Sequence, residues 1–128
     1  MNLKQFSLMA LAVLSSPVFA NDLQSLENME RERAGLVATL RASELEASAR
    51  QAKLQVRQAR LVDLERMTLR DDRLLGHQHR LVRLTFNDYD MSFLVHAAAE
   101  AGVAPVEHWM SELGFDTTSI LNTRVGRR

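Results

Sequence analysis

The chain has 128 residues, no cysteine, and sixteen basic against sixteen acidic side chains. The missing cysteine excludes disulfides, thiol catalysis and cysteine metal sites. Zero net charge gives no global pull toward nucleic acid or an anionic membrane.

The first twenty residues, "MNLKQFSLMALAVLSSPVFA", read as a secretory signal. Lys4 is the positive start, Phe6 to Leu14 is a short apolar core, and Val18-Phe19-Ala20 places small residues at −3 and −1 of a cleavage point. The apolar run is too short for a stable membrane-spanning helix, and no later run reaches that length. The expectation is export to a bacterial periplasm, with the signal peptide 1–20 removed. About 108 residues then remain, enough for one domain (21–122) with a modest core.

From Asp22 to Leu40 apolar residues recur at helical spacing through Leu23, Leu26, Met29, Leu36 or Val37, and Leu40. Around residues 41–51 the stripe loses its phase, and Ser43-x-x-Glu46 fits a capping box for a new helix. The pattern resumes from Ala47 to Leu75, with Leu54, Leu61, Leu64 and Leu75 at seam spacing. A charged helical hairpin over 21–75 follows. One continuous coiled-coil rod from 22 to 75, roughly 80 Å long, is the alternative.

Gly76 is expected to end the second helix, and "HQHR" to be a turn. A third helix is predicted from Leu81 to Ala101, with Val82, Phe86, Tyr89, Phe93 and Ala97 on one face. Gly102 stops it. Pro105 starts another helix with Val106, Trp109, Met110 and Leu113 inward, and Gly114 closes it. Asp116 is expected to cap a last short helix to Leu121, and residues 123–128 to form a basic tail. No segment alternates with the period of a strand. The fold class is therefore all-α: a long charged hairpin, then a small apolar cluster of two to three helices over 80–122.

Charge is segregated. Residues 50–83 hold nine bases against four acids, whereas 84–123 hold six acids and no Lys or Arg. Solvated helix faces explain such runs; so does docking of the basic middle against an acidic neighbour in the same chain or a second copy.

The candidate sites are few. "AAAEAGVAPVEHWMSELGF" has the cadence of a helix-turn-helix. Its second helix carries Glu107 and Glu112 and no base, so phosphates would repel it, and no nucleic-acid partner is expected. In "DDRLLGHQHRLV", His77 and His79 with Asp72 are the candidate metal ligands, because imidazole and carboxylate suit zinc, copper or nickel. The competing account is a polar hinge in which Asp71 and Asp72 pair with Arg73 or Arg80. Asp88 and Asp90 flank Tyr89, but residues two apart on a helix point in different directions and cannot share a proton. There is no phosphate loop and no nucleophile–base signature, so neither an enzyme nor a cofactor is expected.

These readings converge on an exported, non-enzymatic helical protein that binds another protein, as an adaptor or chaperone-like molecule. The alternative is a periplasmic metal-binding or metal-responsive protein using the turn at 71–79. Narrow stripes on both hairpin helices also raise a homodimer, with Leu54, Leu61 and Leu64 at the seam.

Overall fold

A computed structural model describes residues 22–115. Within them, helices α1 (Gln24–Leu40), α2 (Ala47–Leu69), α3 (Arg80–Asn87), α4 (Tyr89–Ser92), α5 (Leu94–Ala101) and α6 (Pro105–Glu112) follow in order, with a 3₁₀ turn at Asp72–Leu74. No strand occurs among the described residues, and no helix there is long and apolar enough to cross a membrane. The signal segment, the helix expected from Asp116 and the basic tail lie outside the described residues.

The first two helices form an antiparallel hairpin rather than a rod. Thr68 of α2 donates to the Ser25 carbonyl at one end (3.1 Å), and Arg57 Nε donates to Thr39 Oγ1 toward the other (2.9 Å). Leu26, Met29 and Leu36 of α1 and Leu61 of α2 are buried to 1% exposure or less. The phase slip at 41–46 marks the turn, but not through the predicted capping box. The N-cap of α2 is Glu46, extended and without a side-chain cap bond, so Ser43 lies outside the capping position. Gly35 has a packing reason. A Cβ there would lie 2.2 Å from Arg57 Nη1, so the missing side chain lets the guanidinium cross α1.

The second helix stops at Leu69, six residues before the predicted Leu75. Asp71 is the reason. Its carboxylate accepts from the Arg73 backbone N–H and from Ser25 Oγ, which turns the chain and drops Leu74 into the core. Gly76 has φ +72° and so ends this turn, not α2.

The single helix predicted from Leu81 to Ala101 is three pieces. Asp88 (φ −98°, ψ 47°) and Phe93 (φ −108°, ψ 63°) leave helical geometry. Phe93 is fully buried where the pieces fold together, stacked on Tyr89 at 5.2 Å and against Phe86 at 5.4 Å between ring centroids. Gly102 (φ +71°) ends α5 and Pro105 opens α6, both as the sequence predicts. The inner face of α6 is shifted: His108 and Met110 are buried, Trp109 is partly buried, and Leu113 is exposed.

Candidate functional site

The turn between hairpin and cluster is built by histidine. His77 Nδ1 accepts from the His79 N–H, and His79 Nδ1 accepts from the Leu81 N–H, each at 3.1 Å. His79 is thereby the N-cap of α3, satisfying one of the donors a helix leaves open at its start. The two rings sit tilted, 6.2 Å apart. Asp72 is exposed in the 3₁₀ turn, and it is Asp71 that carries the local network. The Arg73 guanidinium, with help from Ser25, holds the Asp71 carboxyl down to about 2 against the opposing effect of burial. His96 and His108 are engaged elsewhere, on α5 and α6. Among the described residues no group of three or more His, Asp or Glu side chains is placed to hold a metal.

The three seam leucines meet the chain's own core. Leu61 has no exposed surface, Leu54 is buried, and Leu64 packs against the same cluster as Leu26, Met29 and Phe93. In this conformation Leu61 has no surface to offer a second copy, because α1 already covers it.

A site that the sequence reasoning missed lies one turn further on. Glu65 of α2 is fully buried in the core stripe of Leu61 and Thr68. Its carboxylate accepts from the Val95 N–H (3.0 and 3.1 Å) and the His96 N–H (3.1 Å) and lies 2.7 Å from His96 Nδ1. It therefore caps α5 from thirty residues away. A negative group at a helix N-terminus also meets the positive end of the helix dipole. Burial pushes the Glu65 carboxyl upward, and the bonds to His96 and to the α5 backbone pull part of the way back. On the other side of the break, Arg33 of α1 donates to the Met91 carbonyl at 3.1 Å and pairs with Glu30. The legible signal was a lone carboxylate in phase with Leu54, Leu61 and Thr68.

Nearby, Tyr89 Oη contacts Glu100 at 3.4 Å, and its hydroxyl is pushed up by burial and by that carboxylate. His108 is buried with Nε2 lacking a hydrogen bond; Asp90 Oδ1 lies 3.9 Å away. The Glu65–His96 pair resembles an acid–base couple in composition, but its carboxylate oxygens are spent on two backbone N–H groups. Its evident work is to hold α5 on α2.

Charge is arranged on two sides. Residues 47–62 carry Arg50, Lys53, Arg57 and Arg60 and no acid, and 84–115 carry acids and no Lys or Arg. Arg57 crosses to Glu32 (3.1 Å) on one flank of α1. Trp109 of the acidic cluster lies on the other flank, lining a shallow depression with Glu30, Arg33, Ala34 and Val37. The basic stretch thus meets an acid of α1 within the chain. Large apolar side chains stand exposed at and after the turn: Leu75 (73%), Leu84 (44%), Leu81 and Phe86 (each 37%).

No family model matches the chain, and no significant similarity to a curated protein or a solved structure is found. Fold and site together define a class only: an all-α hairpin with a broken-helix cluster docked on it through a buried carboxylate.

Proposed function

We propose that this is an exported, non-enzymatic helical protein that works by binding another protein through the outer face of α3. The observation that carries the reading is the exposed pair Leu81 and Leu84 on a short, strongly amphipathic helix that buries Val82 and Thr85. Leu75 adds a further exposed apolar side chain, and Arg80 and Arg83 give the same helix a basic edge. The arginines add a residue that protein interfaces favour beside this apolar surface. Scattered exposed apolar residues need no explanation, but neighbours one helical turn apart form a patch. Export is supported by the pattern of residues 1–20.

The test compares affinity capture by the wild-type chain and by the Leu81→Glu/Leu84→Glu variant from the same envelope extract. Both changes are on exposed positions, so the variant should melt within a few degrees of wild type. A protein retained by wild type and lost by the variant is the expected result. Identical captured sets would refute this face as the binding surface.

A further inference from the structure

Residues 80–101 contain neither proline nor glycine, and their apolar residues keep one helical phase from Val82 through Phe86, Tyr89 and Phe93 to Ala97. Nothing local forbids a single helix there. The chain nevertheless breaks at Phe93, and two side chains from the hairpin take up what the break releases. In an unbroken helix the Val95 N–H would donate to the Met91 carbonyl four residues back. Here the Val95 and His96 N–H groups donate to Glu65 of α2, and the Met91 carbonyl accepts from Arg33 of α1. The donor and acceptor of one missing helical bond are thus held apart by an acid and a base from two different helices. The rings of Phe86 and Phe93 pack at 5.4 Å, whereas seven residues of unbroken helix would set them about 10 Å apart along the axis. Local sequence preference and tertiary arrangement disagree, a conflict that natural sequences generally avoid and that two-state elements exploit.

We propose that residues 80–101 are a two-state element: folded in three pieces on the hairpin while Arg33 and Glu65 hold the Phe93 break and the packing of buried Phe93 on Phe86 and Tyr89 holds the bend at Asp88, and one continuous amphipathic helix when that hold is released. Release re-forms the Val95–Met91 and His96–Ser92 backbone bonds. It also frees Phe93, now fully buried, to join the exposed stripe. This deepens the protein-binding reading and rests on it for purpose: the continuous stripe is what a partner with an apolar groove would take. The broken form is the resting state because it buries Phe93 and Leu94 completely.

The natural chain has no cysteine, so two introduced ones carry spin labels without interference. Arg80→Cys and Ala99→Cys are both exposed, one at each end of the element. The distance between labels is measured in the full chain without any partner, so the result is independent of the binding test above. The wild-type background should give one short distance. Glu65→Ala should add a narrow population near 28 Å, the length of nineteen helical residues, at about 1.5 Å each. Arg33→Met, on a half-buried side chain, should add a smaller fraction at the same distance and guards against loss of folding in the first variant. A narrow long population in either variant supports the proposal. Only the short distance in both, or only a broad distribution from a melted cluster, overturns it and leaves Glu65 a fixed structural cap.

Discussion

Glu65 and Asp71 lie six residues apart and show opposite electrostatic behaviour. Glu65 is displaced upward by burial, so the fold tolerates its charge less well than water does. It persists because, in the broken form of the cluster, removing it strands the Val95 and His96 N–H groups and leaves a cavity. Glu65→Ala should therefore cost about 2–4 kcal/mol, combining a lost cap with unsatisfied buried donors. For a domain of this size that lowers Tm by roughly 10–20 °C, read directly from thermal melts. Asp71 is held down to about 2 by Arg73, below its ordinary 3.8. Its contribution is complete above pH 3.8 and fades as pH falls toward about 2, since the unfolded chain takes up the proton first. Much of the Arg73 side chain is in solvent, so screening reduces the effect to about 1 kcal/mol. Asp71→Asn should remove that part of the acid dependence between pH 4 and 2 in denaturant titrations. An unchanged acid limb would contradict the Ser25–Asp71–Arg73 arrangement. Glu65 contributes with the opposite sign: its raised carboxyl favours the fold at low pH and loses that advantage as pH rises through and beyond 4.5.

At the scale of helices, the hairpin carries its own seam. Leu61→Asp would bury an unpaired carboxylate against α1, at a cost of several kcal/mol. Because Leu61 is covered within one chain, the loss should be the same at any protein concentration, checked by melts over a hundredfold dilution series. A concentration-dependent loss would place that leucine between copies instead. The turn after the hairpin yields a metal test. His77 and His79 cap backbone through Nδ1, so excess zinc or copper should leave Tm unchanged. A bound ion at a hundred times its Kd would add about 2.7 kcal/mol. A stabilisation of that size, abolished in His77→Ala/His79→Ala, would restore the metal reading. Apolar periodicity made the hairpin legible, because it buries stripes in phase with the chain, and Pro105 marked the start of α6, although its inner face is shifted. The same periodicity failed over 81–101, where Arg33 and Glu65 act from 30 to 58 positions away. No local pattern encodes such a contact. The early end of α2 was hidden similarly, since the Ser25–Asp71 bond spans 46 residues.

For the whole molecule, the basic flank of α2 and the acidic cluster sit on different sides of the hairpin, joined by a core that the chain completes around Leu61. The proposed binding face is the outer face of α3, the first piece of the element that Glu65 is proposed to hold broken. Its placement was only half legible: the sequence marks Leu81 and Leu84 as apolar, but which flank of the stripe faces outward depends on where the break at Asp88 turns the chain. The most direct test is a photo-crosslinking amino acid placed in the intact cell, at Leu84 and separately at Val56. Both positions are exposed and apolar, but Val56 lies on the basic flank. A discrete adduct with another protein from position 84, absent from position 56, is the predicted result. No adduct at 84, or the same adducts from both positions, would contradict the account.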